Sequence, residues 1–298
     1  MSARREGVLA RPRAAVRRRT PLRPAYRRGE RTATRRRYLM CQPYPFDAVE
    51  ADRPWTDRSS APLTSRRALM QWGRLYSLYL SLGHDVRLIG PLPGLPDAVR
   101  AAATAAVVDG RVLGARRGGP AGEPAYLDWF RTHGFTDVRG AVHANEGARD
   151  VLVTDRWILA GRQVGSAPEA HREALDFFRR PLISLELADP RFQHLDTALA
   201  VLDGDEVMYH PAAFTEVSRD VLAGLFPDAL LVDEPAAASL ALNAVSDGLH
   251  VVLPETAEAV APALRERGFR PLLLDLSELV RGDGGVKSCT LELGPGAS

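Results

Sequence analysis

Three polar clusters interrupt otherwise apolar stretches of this chain. "HANEGARD" carries Glu146 and Asp150 around a glycine, "QHLDTALAVL" opens with His194 and Asp196, and "GGVKSCT" carries Ser288 and Cys289 behind a glycine pair. A histidine and a carboxylate aimed into one cavity suit general acid–base work and the binding of a cation. A serine or cysteine in a glycine-rich turn is a candidate nucleophile. Residues two apart on a strand share a face, so His194 and Asp196 are expected to point the same way. Taken alone, the His–x–Asp pair also fits two satisfied polar residues of a core.

The elements that must position these residues alternate between short apolar runs and amphipathic helices. "RYLMC" reads as a first strand, and residues 64–82 as a helix with Trp72, Leu75, Tyr79 and Leu82 on one face. "DVRLIG" is a strand, and "AAVVDGRVLGAR" a hairpin about Asp109-Gly110, a dipeptide that suits a type I′ turn. Helix 123–133, hairpin "VLVTDRWILAG", helix 167–179 and strand "LISLEL" follow. Then come "HLDTALAVL" as a strand, "EVMYHP", helix 215–225, "ALLV", helix 234–241, "HVVLP", helix 256–267, "RPLLLDL" and a final strand "SCTLEL". Paired strands alternating with helices at a spacing near fifty residues suggest α/β modules about a common centre, without a sequence repeat.

Composition narrows the setting. The chain has 298 residues, enough for a sizeable core, and no apolar run of membrane-spanning length. Cys41 and Cys289 are its only cysteines, which excludes a disulfide framework and makes a cytoplasmic location the expectation. No metal or cofactor is called for. The net charge of +2 conceals an asymmetry, because residues 1–37 hold 14 Arg against two Glu. The expected division is an Arg-rich disordered leader over 1–37, a single domain over 38–293 and a short tail over 294–298. The leader reads as an over-called start or, alternatively, as a basic anchor for an anionic partner. The remainder is acidic, so nucleic acid is a partner only through the leader, and no membrane partner is expected.

Together, the order Glu, His–Leu–Asp and a glycine-rich turn near the C-terminus resembles the guanidino-group-modifying superfamily, in its dimethylarginine dimethylaminohydrolase-like branch. The stretches that carry the likeness are "MCQPYPFDAV", "LPGLPD", "NEG", "DPRFQHLDTALAVLD", "LNAVSDG" and "VKSCTLEL", spread over residues 37–293. The resemblance implies a five-bladed α/β-propeller, the pentein fold, with a site in its central channel for a small guanidino or amidino compound. It implies that acidic side chains hold the guanidinium, that a cysteine thiolate attacks its central carbon, and that a histidine protonates the leaving amine and then activates water. On this chain those roles fall to Asp97, Glu146 and Asp196 as substrate ligands and to His194 as general acid–base.

Several positions depart from the family pattern. The nucleophile position reads Ser288, and Cys289 matches its neighbour. A hydroxyl with no activating triad is a far weaker nucleophile than a thiolate. Adjacent strand residues face opposite ways, so Cys289 is expected to serve packing. Arg100 and Ala103 stand where Phe and an amide or acid are typical, and Gly165 stands where an arginine clamps a carboxylate. A loop at 116–123 reads as shortened. The expected function is a family protein whose channel binds a guanidinium compound but whose hydrolysis is impaired, lost or repurposed. The alternatives are an active amidinohydrolase or amidinotransferase that uses Cys289, and a non-catalytic binding protein with a basic N-terminal anchor.

Overall fold

A computed structural model describes residues 30–43, 65–90, 99–116, 123–163, 168–281 and 285–294. Strand β1 (Arg37–Cys41) crosses through helix α1 (Ser65–Ser81) to β2 (Asp85–Ile89), its parallel neighbour. The hairpin β3 (Ala105–Val108) and β4 (Arg111–Gly114) continues through α2 (Glu123–Thr132) to β5 (Asp137–Gly140), parallel to β4. The same order is repeated by β6 (Val151–Val153), β7 (Ile158–Gln163), α3 (Glu169–Phe178) and β8 (Leu182–Leu187). A short α4 (Leu195–Ala198) leads into β9 (Leu199–Asp203), β10 (Glu206–Tyr209), α5 (Glu216–Leu225) and β11 (Leu230–Leu231). After α6 (Glu234–Ala238) come β12 (Val245–Ser246), β13 (His250–Pro254), α7 (Ala261–Glu266) and β14 (Arg270–Leu274). Helix α8 (Ser277–Arg281) precedes β15 (Leu291–Glu292), which pairs antiparallel with β1 and completes the first blade.

The result is five three-stranded sheets, each an antiparallel pair extended by a parallel strand. This is the five-bladed α/β-propeller. Each parallel pair needs a crossover, and an amphipathic helix supplies it while covering the blade. In α1 the buried Trp72, Leu75 and Tyr79 form the inner face, each such side chain contributing about 1.5–3 kcal/mol. Leu82, expected on the same face, is half-buried just past the helix end. At the Asp109-Gly110 turn both residues have positive φ, 50° and 78°, as a type I′ turn requires.

The body also takes in residues assigned from sequence to the leader. The compact unit begins at Arg31. The Arg31 side chain is 3% exposed, and its Nη2 meets Glu206 Oε2 at 2.7 Å. Arg31 Nε donates to the Arg267 carbonyl at 2.7 Å, and its guanidinium lies 3.4 Å from the centre of the Phe269 ring. The boundary expected at residue 37 is therefore too late, because arginine brings an apolar stem and a planar fork that can be buried once paired. A second anchor is Asp247, in the β12–β13 turn. Its carboxylate accepts from His250 Nδ1 at 2.8 Å, His250 N at 2.6 Å and Leu249 N at 2.9 Å, and faces His84 Nε2 at 3.4 Å. Its carbonyl accepts from Thr34 N at 2.7 Å. Asp247 thus ties the last blade to the first and to the entering chain.

Among the described residues no helix is long and apolar enough to cross a membrane, and no group of three or more His, Cys, Asp or Glu could hold a metal.

Candidate active site

Each blade's first strand is preceded by a short helical or tight turn, and the site residues sit on these turns. The turns are Ala101–Ala103 before β3, Gly147–Arg149 before β6, α4 before β9, residues 240–243 before β12 and residues 286–289 before β15. The turns pack closely because small residues allow it. Gly147 has φ +61°, and a Cβ there would lie 2.8 Å from the Ala105 carbonyl group. A Cβ on Gly285 would meet Asn243 Oδ1 at 2.2 Å, so a side chain at this glycine would push the Ser288 turn off its support.

Two sequence expectations about local structure are corrected here. His194 and Asp196 do not lie on a strand: His194 is the extended residue that begins α4, Asp196 lies in its first turn, and the strand starts at Leu199. Thr197 Oγ1 donates to the His194 carbonyl at 2.7 Å, a local bond that favours the turn over a strand ladder. Likewise Ser288 and Cys289 precede the final strand, in a turn held by Cys289 N to Gly285 O at 3.1 Å and Thr290 Oγ1 to Val286 O at 2.7 Å. The alternation argument for opposite faces therefore does not apply, yet the two side chains still diverge. Cys289 is wholly buried in the core cluster that includes Tyr38, Met40, Trp72 and Tyr79. Ser288 turns to the polar ring.

Asn243 joins two of these turns through its side chain. Its Nδ2 donates to Ser288 Oγ at 3.1 Å and to the Asp196 carbonyl at 3.3 Å. Its Oδ1 accepts from Lys287 N at 2.9 Å and Ser288 N at 3.2 Å. Ser288 Oγ in turn donates to Asp196 Oδ2 at 3.4 Å. The same carboxylate oxygen lies 3.5 Å from Arg149 Nε, with both side chains buried. Ala102 N donates to the Ser288 carbonyl at 3.1 Å, so the turn that carries Ala103 abuts the Ser288 turn.

His194 and Ser288 take different side-chain partners. Its Nδ1 bonds Asp150 Oδ1 at 3.1 Å, and that oxygen also accepts from Leu195 N at 3.4 Å. A carboxylate on one ring nitrogen fixes the tautomer of the neutral ring. Glu146 is half-buried at the start of the Gly147–Arg149 turn. The structure therefore links Asp196 and Ser288 directly, and places His194 and Glu146 on neighbouring turns with no hydrogen bond to Ser288 among the described residues. Asp97 and Gly165 lie outside the described residues, as does most of the 116–123 loop.

Sequence reasoning gave Asn243 and Arg149 no role. Asn243 had a signal, since it falls inside "LNAVSDG", but an asparagine that splints two backbones has no chemical signature of its own. A cavity of about 390 Å³ is bordered by first-strand residues of every blade, among them Val107, Leu152, Leu199, Val245 and Glu292, and by none of His194, Asp196, Asn243 or Ser288. Lys287, the only lysine of the chain, borders it as well. Burial pulls the Lys287 ammonium below the usual lysine range, against the attraction of Glu292 and Asp196.

No family model matches the chain. It is 45% identical over 268 residues to the N(G),N(G)-dimethylarginine dimethylaminohydrolase of Mycobacterium tuberculosis, covering 89% of this chain and 88% of that enzyme. The chain belongs to the dimethylarginine dimethylaminohydrolase family. Within the wider group of guanidino-modifying enzymes it is 30% identical to the bifunctional arginine dihydrolase/ornithine cyclodeaminase ArgZ of Synechocystis. That match covers 86% of this chain but only 37% of ArgZ. The fold follows the family too: the crystal structure of the N-terminal domain of ArgZ, a cysteine-to-serine mutant bound to its substrate, superposes with a TM-score of 0.79 at 30% identity. The superposition covers 87% of this chain and 98% of that domain.

Proposed function

We propose that this family member binds a small guanidino or amidino compound at the propeller axis and hydrolyses it poorly or not at all. The observation that carries this reading is the divergence of Ser288 and Cys289. The hydroxyl of Ser288 is the nucleophile-type atom that faces Asp196, while the thiol of Cys289 is buried in the core. In this reading Asp196 and Glu146 hold the planar cation, with Asp97 as a third acid, because carboxylates match a guanidinium in charge and geometry. The bond from Asp150 to the His194 ring supports reading His194 as the general acid–base for the departing amine.

What the site lacks is an anionic nucleophile. A serine hydroxyl stays protonated at neutral pH unless a base removes its proton, and the His194 ring bonds Asp150 rather than Ser288. A cysteine in the same place would ionise more readily beside a bound cation. That a cysteine-to-serine mutant of ArgZ was crystallised with its substrate fits binding without turnover.

The test is Ser288→Cys. Wild type should release little citrulline or alkylamine from dimethylarginine. The variant should be covalently labelled by 2-chloroacetamidine, with labelling recovered before turnover because a misplaced substrate alone costs about a hundredfold. The competing reading, an active hydrolase, draws support from the 45% identity to an enzyme. It wins if wild type turns over a guanidine and Cys289→Ala, but not Ser288→Ala, abolishes the activity.

A further inference from the structure

Arg149 is the largest of the wholly buried side chains among the described residues, 2% exposed at the end of the Gly147–Arg149 turn. A buried guanidinium is expensive unless a carboxylate compensates it. Here the carboxylate at its side is that of Asp196, itself 0% exposed. The oxygen that Arg149 Nε approaches at 3.5 Å is the one that receives Ser288 Oγ at 3.4 Å. A planar cation, an aspartate and the residue at the nucleophile position thus meet at one oxygen atom. That is the set of groups a bound guanidine would bring together, except that here the chain provides the guanidinium.

We infer that Arg149 is an intramolecular occupant of the guanidinium seat, so that a free guanidine binds only by displacing it. The inference rests on the reading of Asp196 as a cation holder. The edge of a single carboxylate accommodates one planar cation, and a tethered group competes at an effective concentration in the millimolar range or above. The site is then self-filled. A ligand must overcome that population, and its apparent affinity falls by the fraction of time the seat is vacant. Asn243 strengthens the arrangement by holding the Asp196 and Ser288 turns in register beside the Arg149–Asp196 pair.

The experiment is calorimetric titration of full-length protein with methylguanidine, a probe that needs no carboxylate clamp. Arg149→Ala should bind it at least about tenfold more tightly than wild type, and Asp196→Asn added to that variant should abolish the gain. Equal affinity in wild type and Arg149→Ala overturns the inference and leaves the guanidine reading intact. If neither protein binds methylguanidine, Asp196 holds no external cation, and the functional reading falls together with the inference. Should Arg149→Ala fail to fold, Arg149→Gln removes the charge while keeping the stem and is judged by the same outcomes. Denaturation of the two single variants and the double variant adds a readout that needs no ligand. Asp196→Asn should destabilise wild type more than it destabilises the Arg149 variant, and purely additive effects would show that the two side chains do not interact.

Discussion

Asp247 and Asp196 are both buried aspartates next to blade junctions, and they are served very differently. Around Asp247 the donors are close and come from two blades: a histidine and two backbone N–H groups at 2.6–2.9 Å, with a second histidine at 3.4 Å. Burial alone would raise its carboxyl, but His84, His250 and the backbone donors outweigh burial and hold it well below the usual carboxylate range. Around Asp196 the contacts from Ser288 and Arg149 are long, at 3.4 and 3.5 Å, and come from side chains rather than backbone. A carboxylate ringed by short, fixed donors is part of the frame. One that also receives longer contacts from two side chains is less tightly bound into the frame by them.

The largest effect should come from removing the frame's aspartate. Asp247→Ala leaves buried donors without an acceptor, and urea denaturation should show a loss of about 3–5 kcal/mol. A cost below about 1 kcal/mol would put Asp247 on a par with an exposed ion pair and erase the contrast. Acid should act on the same residue more gradually. Because the folded carboxyl is held low, its contribution is complete above the unfolded carboxylate range near pH 4 and is lost as pH falls toward the folded value. Stability curves should therefore fall below about pH 4 in wild type, and with a shallower slope in Asp247→Asn. Equal slopes would mean that other carboxylates govern acid unfolding. The smallest effect is expected at the entering chain. Arg31→Ala should cost about 2 kcal/mol, since Glu206 keeps a second partner in Arg267, whose Nη1 lies 3.3 Å away. An unchanged melting temperature would return residues 31–37 to the leader.

Much of the frame was legible in the sequence because blades depend on local patterns. The Asp-Gly turn, the face of α1 and the alternation of strand pairs with helices all carry periodicities that a single chain displays. Two strands were missed: β5 is a polar, partly exposed edge segment, and β12 has only two residues. The site was legible only through residue order and family likeness. The expected strand through His194 and Asp196 was wrong because the apolar run "TALAVL" masks a change of backbone at Ala198, where a helical turn gives way to the strand. Arg149 went unnoticed for a plainer reason: in a chain with 38 arginines, the one buried against Asp196 has no distinguishing neighbour in sequence.

The ring of turns has a consequence for how the protein acquires its site. The bonds that define the ring join residues 44, 45, 47 and 92 positions apart, and none is local. Each contact requires loop-closure entropy to be met for the blades it joins before it can form, which places these contacts late in folding and slows folding relative to a chain of local contacts. The complete set runs from Asp150 to Ser288 across three successive blade junctions, so opening any one of them breaks it. The completeness of this set is therefore a report on the closed circle: a partly open propeller has a frame in pieces and an incomplete site.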